Sequence, residues 1–207
     1  MRPLDDILAH VRAALERDDV TGAVAIIEGL RPADQADLFA DLHDEHRITL
    51  LPELQPSDSA DILERLENRE VADLAGQIAT DNLIRIVEEM APDEAADLLG
   101  DILPARAEAI LAGLDDPDKI RPLLLYPDDS AGGLMTTEFV ALHPRMTAED
   151  AIAAIRAWRP DSETIYYLYV ISDQRRLIGV VSLRELVVAD PATLLADFMH
   201  PDVVAIP

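Results

Sequence analysis

Apolar residues recur at spacings of three and four along residues 4–125, which is the period of one face of an α-helix. The pattern is interrupted roughly every ten to fifteen residues, and prolines mark several of these breaks, so the helices must be short, about two to three turns each. No segment of this stretch shows the strict alternation of apolar and polar residues that is typical of a half-exposed strand. The first part of the chain is therefore predicted to be helical throughout.

One sequence template occurs three times in this helical part, beginning at Pro32, Pro56 and Pro92. After the proline come an acidic residue at the second following position, alanine at the fourth, aspartate at the fifth, and then two bulky apolar residues. Proline favours the first position of a helix, and an acid in the first turn interacts favourably with the helix dipole. We therefore expect three equivalent helix starts, and short helical hairpins that stack into a superhelix.

The pattern changes after Tyr126, where a turn-rich connector leads into alternating short strands and helices. Strands are predicted at 137–142, 165–171 and 177–181, helices at 147–158 and 182–189, and the start of a further strand at 203–206. The predicted fold class is α+β in two domains. Residues 1–130 form an N-terminal all-α superhelix of short helical hairpins, and residues 131–207 form a β-α-β-β-α unit.

Acidic residues dominate the helical part of a chain whose formal net charge is −24. Residues 1–130 hold 31 acidic and 11 basic side chains, whereas residues 131–207 hold 10 and 6, so the balances are −20 and −4. A field of this sign repels phosphate groups, and we therefore expect no nucleic-acid partner. Cations and basic protein surfaces are the expected partners.

Several classes of function are excluded or made improbable by what the sequence lacks. Cysteine is absent, which excludes disulfides and thiolate metal sites. Neither a nucleophile elbow nor a Ser-His-Asp arrangement can be identified, so we predict no enzyme. No apolar run approaches the about 20 residues needed to cross a bilayer, and the chain itself is expected to be soluble.

Three segments carry a resemblance to a known family. Gly179-Val-Val-Ser182-Leu-Arg-Glu185 resembles the Gly-x-x-Ser/Thr-x-x-Asp signature of CBS motifs. Tyr126-Pro-Asp-Asp-Ser-Ala-Gly-Gly-Leu-Met-Thr136 and Glu163-Thr-Ile-Tyr-Tyr167 resemble segments of the MgtE magnesium transporters, and the helical part is similar to their N domain. The resemblance implies a regulatory region whose family members continue into a second CBS motif and a transmembrane pore. We interpret the chain as a fragment, or a natural truncation, that stops within that second motif.

The aspartate at the fifth template position is not explained by a helix start, because it lies beyond the first turn. Acids at the second and fifth positions share a helix face, where like charges cost a few tenths of a kcal/mol, and a divalent cation would reverse that sign. The resemblance to MgtE implies Mg2+ sites at Asp61, Asp93 and Asp97. The alternative is that each acid is a solvated helix residue.

The same resemblance implies the surroundings in which such sites would act. It implies a homodimer partner, and a transmembrane pore domain of the same transporter as a second partner. It also implies a location at the cytoplasmic face of the bacterial cell membrane, where binding of Mg2+ would draw the N and CBS domains together and close the pore.

CBS motifs imply a second ligand, an adenosine nucleotide such as ATP. By resemblance Tyr167 would contact the adenine, Arg184 the phosphates and Glu185 the ribose hydroxyls. Glu185 is one methylene longer than the usual Asp, and its spacing from Ser182 also fits a capping box that needs no ligand.

Two other functions remain open at this point. One is a stand-alone adenine-nucleotide-binding regulatory protein whose CBS motif is completed by dimerisation. The other is a protein-interaction scaffold, since the helical part also resembles the middle domain of flagellar rotor switch proteins. The connector from Tyr126 to Thr136 argues against both, because it resembles MgtE closely.

Overall fold

The computed structural model describes residues 3–127, 130–158 and 166–205. Contacts divide the chain into two compact units, Met1–Thr137 and Glu138–Pro207. The first unit is helical and the second contains a three-stranded sheet with helices, so the predicted fold class is confirmed. The connector up to Thr137 is grouped with the helical unit, and the compositional boundary at 130/131 stays a prediction.

The helical unit starts a new short helix every 12 residues from its second helix onward. These repeating helices are 7 to 10 residues long. Each of the three template prolines occupies the first position of a helix, as predicted. The bounds are α1 Pro3–Leu15, α2 Val20–Glu28, α3 Pro32–Ala40, α4 Asp44–Leu50, α5 Pro56–Leu63, α6 Asn68–Ala75, α7 Thr80–Val87, α8 Pro92–Asp101 and α9 Pro104–Leu111.

Apart from the closely packed α1–α2 pair, the helices pack mainly against the helix two places away along the chain, from the α1–α3 pair to the α7–α9 pair. Odd-numbered and even-numbered helices therefore form two rows, and this arrangement is the predicted stack of hairpins. The two bulky apolar residues of the template face the core between the rows. They are buried in all three copies, at Leu38 and Phe39, Ile62 and Leu63, and Leu98 and Leu99.

Glutamates from distant helices satisfy the backbone where new helices or turns begin. Ala91, the residue before α8, donates its N–H to Glu64 Oε1 at 2.8 Å. Gln55, the residue before α5, donates its N–H in the same way to Glu28 at 3.2 Å. Both pairs are separated by 27 residues along the chain. These bonds matter because the side chains of Gln55 and Ala91 make no capping hydrogen bond themselves.

The second unit carries a sheet of strand order β1-β2-β3, in which β2 runs parallel to β1 and antiparallel to β3. Inward residues of the strands, such as Leu168, Val170 and Val181, pack with buried residues of the two helices. This β-α-β-β-α order is the predicted one. The bounds are β1 Ala141–Leu142, α10 Ala148–Trp158, β2 Tyr167–Ile171, β3 Leu177–Ser182 and α11 Leu183–Val188.

Two strand predictions differ from the structure. The strand expected at 137–142 is reduced to Ala141–Leu142, and Phe139, just before it, packs its ring edge-on against Tyr169 with 5.6 Å between centroids. Val203 to Ala205 form no strand, and the remainder of the range 203–206 lies outside the described residues. The pairing position is taken by His200, which exchanges backbone hydrogen bonds of 2.8 and 3.0 Å with Val180.

Candidate cation and nucleotide sites

Asp93 and Asp97 lie four residues apart in α8, so both carboxylates project from the same side of this helix. Pro92 begins the helix and places Asp93 in the first turn, where the helix dipole favours a negative charge. Asp93 Oδ1 is buried and finds no hydrogen-bond partner among the described residues. A carboxylate oxygen buried without a donor is costly, so a rotation of the Asp93 side chain toward a cation or a water at the surface would be favourable.

Asp97 also lines a small crevice beside α8. Two further carboxylates of the same helix, Glu94 and Asp101, lie along it together with Asn68 from the start of α6. Its volume of about 20 Å³ is enough for one water molecule. Because Mg2+ keeps several waters when it binds to protein, a hydrated ion could only sit at the mouth of this crevice.

Asp61 lies on α5 and already has a cationic neighbour. Arg65, one turn later, places Nη1 3.8 Å from Asp61 Oδ1 and donates to the Asp61 carbonyl oxygen at 2.7 Å. Both side chains are 42% exposed, so the ion pair is weak and open to exchange. Among the described residues, no group of three or more His, Cys, Asp or Glu side chains has the geometry of a metal site. The roles of Asp61, Asp93 and Asp97 as Mg2+ ligands therefore remain predictions.

Repulsion between acids, which the template spacing predicted, is present at the start of α5. Burial raises the pKa of Asp58, and the neighbouring charges of Glu28 and Asp61 raise it further. A hydrogen bond from the side chain of Gln35 acts in the opposite direction. A cation near α5 would relieve this repulsion.

The three nucleotide-site candidates come together at one end of the β2–β3 pair. Tyr167 begins β2 and lies opposite Ser182 on β3. Arg184 and Glu185 follow Ser182 directly in the first turn of α11. Tyr167 and Arg184 are exposed, so they are accessible to a ligand.

Glu185 is the most heavily hydrogen-bonded of these candidates. Its Oε2 accepts from the Ser182 N–H at 3.1 Å and from the Ser182 hydroxyl at 2.7 Å, while Ser182 Oγ accepts from the Glu185 N–H at 3.2 Å. The capping box expected from the sequence is therefore present. These bonds, together with His200 Nε2 at 2.6 Å from Glu185 Oε1, lower the pKa of Glu185 to about 2. Sequence reasoning missed His200, because no spacing rule links it to a residue 15 positions earlier.

Two family models match the chain, the MgtE intracellular N domain at residues 30–129 and the CBS domain at residues 131–191. The magnesium transporter MgtE of Thermus thermophilus is 38% identical over 205 residues, which are 97% of this chain and 46% of that protein. MgtE of Enterococcus faecalis is 39% identical over 92 residues, 44% of this chain and 20% of that protein. The chain thus spans less than half the length of these curated relatives.

Two crystal structures share the fold. The cytosolic domain of the Mg2+ channel MgtE in complex with ATP superposes with a TM-score of 0.86 at 36% identity, over 96% of this chain and 82% of that one. The soluble part of a magnesium transporter gives 0.85 at 29% identity, over 98% and 80%. Within the described residues, none of the helices has the length and apolar character needed to cross a membrane. Sequence motifs, family models and fold agree that the chain belongs to the MgtE family of magnesium transporters, of which it comprises the intracellular N domain and the CBS region that follows.

Proposed function

We propose that this chain is the Mg2+-sensing regulatory region of a magnesium transporter or channel, located at the cytoplasmic face of the membrane. Binding of Mg2+ between the N domain and the CBS domain draws the two together and closes the transport path. The transmembrane pore domain and a second copy of the chain are the partners in this proposal. The names of the relatives, which are magnesium transporters and a Mg2+ channel, support it.

The observation that carries the proposal is the carboxylate pair of α8. Asp93 and Asp97 share a helix face, and the buried Oδ1 of Asp93 has no donor among the described residues. Mg2+ takes oxygen ligands and often needs only one or two carboxylates from the protein. When bound, the ion would supply positive charge to this carboxylate pair, and Asp61 on α5 is the third proposed ligand.

More than one ion is needed for a complete switch. A ligand at 100 times its dissociation constant stabilises the state it binds by about 2.7 kcal/mol per site. Moving a two-state equilibrium from 1:99 to 99:1 takes about 5.5 kcal/mol. Weak sites of this kind therefore have to act together, which fits carboxylates distributed over α5 and α8.

Small-angle X-ray scattering tests this function directly. The chain is titrated with MgCl2, and with KCl at matched ionic strength, and the radius of gyration is followed. We expect compaction specific to Mg2+ that is lost when Asp61, Asp93 and Asp97 are all replaced by Asn. Asp6→Asn with Asp73→Asn and Asp81→Asn is the matched control, since it removes the same number of charges at exposed helix aspartates outside the proposed site and outside the template. A triple variant that compacts like the wild type would show that the assigned residues are wrong.

Nucleotide binding is a second candidate function, favoured by the similarity to a cytosolic domain solved in complex with ATP. The convergence of Tyr167, Arg184 and Glu185 at one end of the β2–β3 pair supports it. In this proposal Tyr167 stacks on the adenine, Arg184 contacts the phosphates and Glu185 accepts from the ribose hydroxyls. ATP would then act as a second regulatory ligand beside Mg2+.

A further inference from the structure

We propose that His200 limits nucleotide affinity by competing with the ribose hydroxyls for Glu185. The inference rests on the nucleotide-binding function proposed above, and it assigns a role to a residue outside that candidate site. Its basis is the 2.6 Å contact between His200 Nε2 and Glu185 Oε1.

The hydrogen bonds of Glu185 leave one oxygen available for a ligand. Oε2 already accepts two hydrogen bonds from Ser182, one from its N–H and one from its hydroxyl. Oε1 is the oxygen that a ribose hydroxyl could reach, and it is the oxygen that His200 occupies. A ribose hydroxyl would have to share or displace the imidazole, since both are donors to the same atom.

The position of His200 is held by its backbone as well as by its side chain. His200 exchanges two backbone hydrogen bonds with Val180, the N–H of each residue donating to the carbonyl of the other. The preceding residue, Met199, lies against Gly179, where an added Cβ would come within 3.0 Å of its sulfur. The backbone of His200 is therefore anchored to β3, so that the imidazole contacts Glu185 without a flexible loop having to become ordered.

His200 competes with a ligand here and is not needed to orient the carboxylate. The capping box with Ser182 fixes Glu185 through bonds that do not involve His200. Removing the imidazole would leave the carboxylate in place and free Oε1. The backbone bridge to Val180 would also persist, because it does not depend on the side chain.

The test compares ATP with 2′,3′-dideoxy-ATP, which lacks the competing hydroxyls. Affinities of the complete 207-residue chain are measured by NMR titration with unmodified nucleotides in buffer without Mg2+, since ribose-linked fluorophores would block the contact. We expect His200→Ala to tighten ATP binding about two- to fivefold, the worth of an exposed charged pair. Dideoxy-ATP should bind the wild type and the variant with equal affinity. A change in ATP affinity alone therefore indicates competition at the ribose hydroxyls, whereas a change in folding would alter the affinities for both nucleotides.

Two further variants control the result. His200→Gln keeps a donor that can reach Glu185 and should bind ATP like the wild type. His143→Ala removes another imidazole that contacts an acid, Asp173 at 3.0 Å, directly after β1, and should change neither affinity. Fluorescence of Trp158, the single tryptophan, and backbone signals of β3 report whether each variant is folded.

The outcomes separate this inference from the function on which it rests. Competition is supported if only His200→Ala binds ATP, or if His200→Ala binds ATP more tightly than the wild type does. If the wild type binds ATP and His200→Ala binds it equally or more weakly, the role of His200 is overturned and the nucleotide site stands. If neither protein binds ATP, the nucleotide function is itself wrong and the role of His200 fails with it.

Discussion

Glu185 shows how local hydrogen bonds set the chemistry of one exposed carboxylate. Its pKa falls from the ordinary 4.5 to about 2, first because the Ser182 hydroxyl donates to it and then because His200 does. A depressed carboxyl pKa stabilises the folded state fully above the ordinary pKa. That contribution is lost as the pH falls from about 4.5 through about 2, since the folded state then has to bind a proton it resists.

Replacing Glu185 by Gln should therefore flatten the acid limb of the stability profile of the second unit. Gln can still accept from the Ser182 N–H, so the capping box keeps its shape while the ionisable group is removed. Urea unfolding followed by Trp158 fluorescence reports this unit, because the single tryptophan ends α10. We expect the wild type to lose more stability than the variant between pH 4.5 and pH 2. Parallel pH profiles for the two proteins would contradict the assignment.

Residue-level prediction from the sequence succeeds where partners are close along the chain. The Ser182–Glu185 capping box follows from a three-residue spacing, and the Asp61–Arg65 pair could have been found from a four-residue spacing. The contact between His200 and Glu185 could not have been predicted, because only the return of the chain to β3 brings the two residues together. The lack of a hydrogen-bond partner for Asp93 Oδ1 within the described part of the chain likewise depends on burial, which no spacing reveals.

The repeating element of the helical unit is simpler than its most visible sequence template. Template copies at Pro32, Pro56 and Pro92 are 24 and 36 residues apart, both multiples of the 12-residue spacing at which helices start. What every helix from α2 to α9 shares is an adjacent apolar pair at the sixth and seventh positions after its first residue. Those pairs are visible in the sequence and predict the period, whereas the proline and the acids are optional additions.

Two helix starts in this unit, those of α5 and α8, donate a backbone N–H to a distant glutamate, and Glu64 offers a direct test. Ala91 cannot cap α8 with its own side chain, and its N–H donates to Glu64 at 2.8 Å. We expect Glu64→Ala to lower the free energy of unfolding of the helical unit by about 1 kcal/mol, the usual cost of a lost N-terminal cap. Urea unfolding followed by circular dichroism at 222 nm provides the measurement.

Glu53→Ala is the matched control for this prediction. Glu53 is an exposed glutamate in the turn after α4, and its loss should stay within about 0.5 kcal/mol. If the two variants lose the same amount, the bond to Ala91 contributes nothing beyond an ordinary surface contact. Such long-range caps cannot be predicted from the sequence, because a separation of 27 residues indicates a contact only once the two rows of helices are known.

At the scale of the whole molecule, charge separates the two units more sharply than any motif. The residues between 131 and 137 carry no charge, so the balances of −20 and −4 hold for the units Met1–Thr137 and Glu138–Pro207. This asymmetry is readable from composition alone. Composition does not show which unit the connector packs with, because the uncharged residues 131–137 change neither balance.

Self-repulsion within the helical unit predicts that the two units respond differently to salt. Raising KCl from 10 to 150 mM shortens the Debye length from about 30 to about 8 Å, which screens charges on neighbouring helices from one another. We expect the thermal midpoint of the helical unit, followed by circular dichroism at 222 nm, to rise by about 3 to 5 °C, the shift that corresponds to about 1 kcal/mol. The midpoint from Trp158 fluorescence should move less, because the second unit carries a charge of only −4.

Mg2+ at the same ionic strength distinguishes specific binding from screening. If the carboxylates of α5 and α8 hold the ion, the circular dichroism midpoint should rise further with MgCl2 than with KCl, and Asp93→Asn with Asp97→Asn should remove the excess without altering the KCl response. Equal shifts for the two salts would show that both cations only screen the acidic surface and that its carboxylates do not bind Mg2+ specifically. An identical salt response of the two midpoints would instead show that the units unfold together, and that the charge of the helical unit acts on the stability of the whole chain.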